Sequence, residues 1–139
     1  ELSPISVELT YGLERIAMYI QKVDDFKKIR WNENTEYGDL FLEREIEFSE
    51  YNFKSASVKS LLTSFNDHEK QVFNLIDAEL VYPAYDLILK CSHLFNLLDA
   101  RGVISVTERA AYIARIRKMA KECALHYLKK FDPREERAV

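Results

Sequence analysis

After Ser57, apolar residues recur at three- and four-residue steps, the spacing that lines one face of a helix. Val58, Leu61, Leu62, Phe65, Val72, Phe73, Ile76 and Leu80 make one long stripe, and Ser57 is placed to cap its start. Pro83 opens the next helix, where its missing N–H costs little. Ala84, Leu87, Ile88, Cys91, Leu94, Phe95 and Leu98 form that stripe, and Gly102 fits the left-handed position that ends it. Ser105 and Glu108 have capping-box spacing ahead of a last helix. Its inner face reads Ile113, Ile116, Ala120, Cys123, Tyr127 and Phe131, and Pro133 stops it. Three long amphipathic helices with short joints predict an antiparallel bundle.

The first third is less regular. Val7, Leu9 and Tyr11 alternate with Glu8 and Thr10, the period of a half-buried strand. Leu13, Ile16, Ala17 and Ile20 then follow at helical spacing, with Gly12 at the switch of period. Residues 23–37 read as a connector, broken by Asp24, Asp25, Asn32 and Asn34, with Ile29 to Trp31 a short strand and Trp31 a packing anchor. Residues 38–53 fit a helical stripe through Leu42, Ile46, Ser49 and Phe53, or a strand of alternating glutamates; length favours a helix packed beside the bundle.

Composition narrows the possibilities. At 139 residues one domain is the prior, and such a chain can bury roughly two-thirds of its unfolded surface. No apolar run approaches the roughly 18 residues of a membrane span. Cys91 and Cys123 are too few for a disulfide framework and read as buried free thiols of a reducing cytoplasm. Cys91 and His93 lie about 200° apart around a helix, so they cannot share a metal, and His93 reads as a core histidine. Residues 1–104 carry 11 Lys and Arg against 18 Asp and Glu, a charge of −7; residues 105–139 carry 9 against 5, a charge of +4. The basic end reads first as a solvated helix face and second as a surface for RNA phosphates. Asp99, in the last turn of its helix, needs a cation, either Arg101 or Arg109.

The candidate chemistry sits at the strand–helix junction. Glu8 and Thr10 share a face, Gly12 leaves open backbone, and Glu14 and Arg15 occupy the first helical turn. Glu8 could hold an ammonium group, and Arg15 offers a rigid fork of donors for phosphate oxygens.

Gly12-Leu13-Glu14-Arg15 before IAMYI resembles motif 3 of class II aminoacyl-tRNA synthetases. The stretches YGDLFLEREIEFSEYNF (37–53), PAYDLILKCSHLFNLLDARG (83–102) and ISVTERAAYIARIRKMAK (104–121) make the chain similar to the alpha subunit of tetrameric bacterial glycyl-tRNA synthetase, from about Val7 to about Tyr127. The resemblance implies a mainly α fold: a strand–helix remnant of a class II antiparallel-sheet core over 1–36, a helical bundle over 37–132 and a tail over 133–139. It implies ATP-dependent activation of glycine and charging of tRNA(Gly), with ATP and Mg²⁺ as cofactors, in an intact subunit. Arg15 would be the catalytic contact to ATP, with Gly12 and Glu14 also at the nucleotide, and Glu8 and Thr10 at the glycine amino group. Here ELTYG stands where glycine-specific relatives have an EPSFG-like form. The implied partners are a beta subunit, a second alpha subunit and tRNA(Gly). Motifs 1 and 2 are not found, and Glu1 reads as a cut inside a longer chain that is inactive alone. The competing class is a non-catalytic helical interaction module; a histidyl-type relative is disfavoured by LLDAR and ISVTER.

Overall fold

The computed structural model describes residues 5–131. Their helices are α1 (Leu13–Gln21), α2 (Tyr37–Glu50), α3 (Val58–Asp77), α4 (Val81–Ala100) and α5 (Val106–Phe131). A 3₁₀ turn covers Phe26–Lys28 and a π-helical turn covers Tyr51–Ser55. The chain divides into two compact units, residues 1–50 and 51–139. Pro133 and the expected tail lie outside the described residues.

In the second unit α3, α4 and α5 form the expected bundle. Neighbours run antiparallel, because opposite ends meet. Arg101, after α4, donates to the carbonyls of Ala56 and Lys54, just before α3. The Cys123 thiol, late in α5, reaches the Val81 carbonyl at 3.4 Å, at the start of α4. The core follows the sequence stripes: Phe65, Val72 and Ile76 of α3 meet Val81, Ala84, Ile88, Cys91 and Phe95 of α4 and Met119 and Cys123 of α5. A smaller cluster joins Ala56 and Leu61 to Leu97 and Leu98. Each buried side chain of this kind contributes roughly 1.5–3 kcal/mol of transfer free energy.

The caps show why the elements start and stop. The Ser57 hydroxyl accepts from the Ser60 amide at 3.3 Å. The Ser105–Glu108 box is reciprocal, with Ser105 N–H to Glu108 Oε2 at 2.7 Å and Glu108 N–H to Ser105 Oγ at 3.2 Å. The Ser105 amide, and secondarily the Ser105 hydroxyl, hold the Glu108 carboxyl below its ordinary pKa. Helix α4 starts at Val81, two residues before Pro83, so the proline sits within the first turn, where amides have no intrahelical acceptor anyway. Gly102, at φ 64°, ends α4 in a Schellman motif: Val103 N–H bonds the Leu98 carbonyl at 3.2 Å and Gly102 N–H that of Asp99 at 3.0 Å. Of the two cations expected for Asp99, it pairs with Arg109, Nε to Oδ2 at 3.0 Å; Arg101 is committed to the carbonyls before α3.

Helix α3 ends in the same motif, but with Glu79 in the left-handed conformation at φ 58°. A side chain there costs roughly 1–2 kcal/mol relative to glycine. Glu79→Gly is therefore expected to raise the melting temperature by a few degrees, about 1 kcal/mol. Calorimetry giving an equal or lower melting temperature would contradict this cap.

Two outer positions differ from the stripe reading. Tyr127 and Phe131 are substantially exposed, and the buried residues of α5 are Met119 and Cys123, earlier in the helix. His93 is exposed rather than in the core. The α5 stripe keeps one helical face, but Cys123 already lies against Val81 at the start of α4, so the last two turns of α5 extend past the start of that helix. Both cysteines are buried and free, and burial pushes the Cys91 thiol up to about 11.

In the first unit α2 is helical, and its first turn packs on the 3₁₀ turn. A Cβ at Gly38 would meet the Lys27 Cβ at 3.0 Å and its carbonyl oxygen at 3.1 Å, so glycine permits that approach. The short strand expected at 29–31 is a single antiparallel bridge between Arg30 and Glu36. Trp31 lies edge-on to Phe41 at 5.7 Å but stays 59% exposed, so it covers the aromatic group from outside rather than anchoring a core. Residues 5–12 pair with no described residue. Their alternation expects a sheet neighbour, and Val7, Leu9 and Tyr11 are exposed without one.

Candidate functional site

Gly12 precedes α1 in an extended conformation, φ −71° and ψ 128°, that any residue adopts. What its missing side chain provides is space: a Cβ there would find only Glu14 Oε2, at 3.9 Å. Just upstream the Thr10 hydroxyl donates to Glu8 Oε1 at 2.5 Å. The two side chains on one face of the alternation are thus joined, which orients the carboxylate and leaves acceptor sites for an incoming donor.

Glu14 lies in the first turn of α1, where the helix dipole favours an anion. Its own amide and the Tyr37 hydroxyl, which donates to Oε1 at 2.9 Å, hold its carboxyl below the ordinary range. The hydrogen bond that the Tyr37 hydroxyl gives this carboxylate raises the Tyr37 pKa, because it favours the protonated phenol; partial desolvation and the neighbouring negative charge add to it. Gln21, at the other end of α1, reads the Arg30 backbone with both ends of its amide, at 2.7 and 3.1 Å. Between these two tethers lies a groove of about 400 Å³, lined by Leu13, Glu14, Ala17 and Gln21 of α1, and by Trp31, Tyr37 and Phe41 among others.

Arg15 is not among the lining residues. At 100° per residue it points well away from the Leu13–Glu14–Ala17–Gln21 face. It is exposed and makes no hydrogen bond or ion pair with a described residue. The structure therefore joins Glu8 to Thr10 and Glu14 to Tyr37, and leaves Arg15 free of both carboxylates. The Glu14–Tyr37 pair was not legible from sequence. It spans 23 residues, and the only hint was a tyrosine at the start of the next helical stripe.

No rival constellation stands out elsewhere among the described residues. The strongest polar cluster is Arg115 with Glu69 and Asn66, the guanidinium lying 4.6 Å from the centre of the Phe65 ring. The carboxylate raises the Arg115 pKa further, which marks an ion pair built to hold α3 to α5. His68 Nδ1 is buried without a hydrogen-bond partner among the described residues. No group of three or more His, Cys, Asp or Glu among the described residues could hold a metal ion. No described helix is long and apolar enough to cross a membrane.

A family model described as "Glycyl-tRNA synthetase alpha subunit" matches residues 1–132. That span takes in the Gly12-Leu13-Glu14-Arg15 junction and the whole described bundle. The chain belongs to the glycyl-tRNA synthetase alpha subunit family.

Proposed function

We infer that this chain is the part of a glycine–tRNA ligase alpha subunit that grips ATP during glycine activation. The observation that carries the reading is Arg15: an exposed guanidinium with no partner among the described residues, three positions after open backbone at Gly12, in a chain of this family. An arginine left free by the fold can give all five donors to phosphate oxygens.

The reaction needs little from side-chain acids or bases. The glycine carboxylate is already a nucleophile at neutral pH. It attacks the α-phosphorus of ATP and the bond to pyrophosphate breaks; a terminal ribose hydroxyl of tRNA(Gly) then attacks the acyl carbon of the adenylate, and the acyl–phosphate bond breaks to release AMP. Catalysis is then positioning and charge stabilisation, as in other phosphorus-centred displacements. Arg15 would hold phosphate oxygens as charge moves onto them. Gly12 would let the nucleotide lie against the backbone. Glu14 would accept from nucleotide donors in competition with Tyr37. Glu8, steadied by Thr10, would receive the glycine ammonium group.

Mg²⁺ would accompany the ATP, bound chiefly by its phosphates; no group of three or more His, Cys, Asp or Glu among the described residues marks ligands for it. No step is assigned to the metal. Leu13 and Ile20 of α1 are 77% and 70% exposed, which suits a helix that packs on further catalytic core. Activity is accordingly assigned to the intact cytoplasmic subunit, dimeric with a second alpha chain and working with a beta subunit; this chain alone is expected to be inactive. The competing interaction-module reading keeps only the bundle and gives Arg15 no task.

The test is amino-acid-dependent ATP–pyrophosphate exchange by the intact subunit with its beta partner. Glycine is expected to support exchange and alanine and serine to fail. Exchange that ignores glycine would overturn the assignment.

A further inference from the structure

Tyr37 is held on several sides. Its ring lies 4.5 Å from that of Phe41, 6.2 Å edge-on from Phe26 and 6.3 Å from Trp31. Its amide donates to the Ile29 carbonyl at 2.7 Å, beside the Arg30–Glu36 bridge. A ring fixed in this way also fixes its one polar tip, the hydroxyl. That hydroxyl reaches 23 residues back along the chain to Glu14 Oε1, at 2.9 Å.

The carboxylate it holds stands beside open backbone. Glu14 Oε2 lies 3.9 Å from where a Cβ at Gly12 would be, and beyond the chain neighbours no other atom of the described residues comes within 4 Å of that point. Tyr37 therefore occupies one carboxylate oxygen and leaves the other facing the space over Gly12. A carboxylate has lone pairs for roughly four donors, so Oε2 can still accept. The far end of α1 is tied as well, by the Gln21 amide to the Arg30 backbone, so the helix that carries Glu14 is fixed at both ends. An unheld glutamate must be ordered when a ligand arrives; this one is ordered in advance.

Charge decides what Oε2 can receive. A carboxylate repels phosphate oxygens and accepts from N–H and O–H groups. The matching part of a nucleotide is its nucleoside end, where adenine offers an exocyclic amine and ribose offers hydroxyls.

We propose that Tyr37 is a positioning residue for nucleotide selection: it aims Glu14 Oε2 at the space over Gly12, where the carboxylate accepts from an amine or hydroxyl of the adenosine. The proposal rests on the nucleotide reading of the Gly12–Arg15 junction given above.

The test is glycine-dependent pyrophosphate exchange by the intact alpha subunit with its beta partner, run with ATP, ITP, 2′-deoxyATP and 3′-deoxyATP. ITP carries a carbonyl in place of the adenine amine, and each deoxy analogue lacks one hydroxyl. At least one analogue is expected to show a KM about tenfold or more above that of ATP, and its identity names the donor. Tyr37→Phe, which keeps the ring, is expected to raise the KM for ATP about tenfold with kcat nearly unchanged, because the contact is made alike in the ground and transition states. It is expected to leave the KM of the analogue that lacks the donor where it was. Glu14→Ala is expected to raise the KM for ATP at least as much, and adding Tyr37→Phe to it to cost nothing further. An unchanged KM for ATP in Tyr37→Phe, an equal rise for ATP and all three analogues, or a rise that persists in the Glu14→Ala background would overturn the role of Tyr37. The nucleotide reading itself fails separately, if Arg15→Ala leaves exchange near normal.

Discussion

Arg15→Ala in the intact subunit is expected to slow glycine-dependent ATP–pyrophosphate exchange about a hundredfold or more while leaving the melting temperature unchanged. Both halves of this prediction come from the same observation. The guanidinium is exposed and makes no hydrogen bond or ion pair with a described residue, so removing it strands no buried partner. A hundredfold corresponds to about 2.7 kcal/mol of transition-state stabilisation, within the range of one charge-assisted contact in a desolvated site. Arg15→Lys should recover part of the rate, since it restores charge without the bidentate fork. If Arg15→Ala lowers stability and leaves exchange near normal, the side chain is a structural element and the nucleotide assignment fails.

Phe65→Ala is expected to have the largest effect on the fold, about 3–5 kcal/mol. Phe65 is fully buried at the meeting point of the three bundle helices. Its ring stands edge-on to Tyr112 of α5 at 4.8 Å, and the Arg115 guanidinium covers it. Truncation opens a cavity and also removes the surface on which Arg115 rests while it binds Glu69, at Nε to Oε1 3.0 Å. Denaturant unfolding of the variant should show a midpoint far below that of the parent chain. A loss below about 1 kcal/mol would mean the bundle repacks around the gap, and that the core is less specific than its contacts suggest.

The bundle was legible in sequence because its signals are local. Helical stripes, the Ser57 cap, the Ser105–Glu108 box and the glycine at 102 each act within a turn or two, and each was found where its residues stand. What escaped the reading was long-range or conformational. Lys22 and Glu79 end helices in the left-handed region without glycine, so composition gave no sign of those caps. The Arg115–Glu69–Asn66 clamp joins residues 46 and 49 apart. Charge alone read the basic α5 as a solvated face; the structure shows several of those cations already committed, Arg109 to Asp99 and Lys130 to the Glu79 carbonyl.

The site was legible in part. Glu8 and Thr10 were read as sharing a face, and they are hydrogen-bonded. Glu14 and Arg15 were read as neighbours in one cluster, but adjacent helical residues point about 100° apart. Glu14 turns to Tyr37 and the aromatic groove, and Arg15 turns to solvent. Periodicity fixes which residues share a face; it cannot say which face a ligand or a partner covers.

The most direct test is amide hydrogen exchange of the intact alpha subunit with and without ATP. Slower exchange confined to the segment from Glu8 to Arg15, lost in Arg15→Ala, is the expected result. Protection that appears only in α3, α4 or α5, with Glu8 to Arg15 exchanging as before, would contradict it and hand the chain to the interaction-module reading.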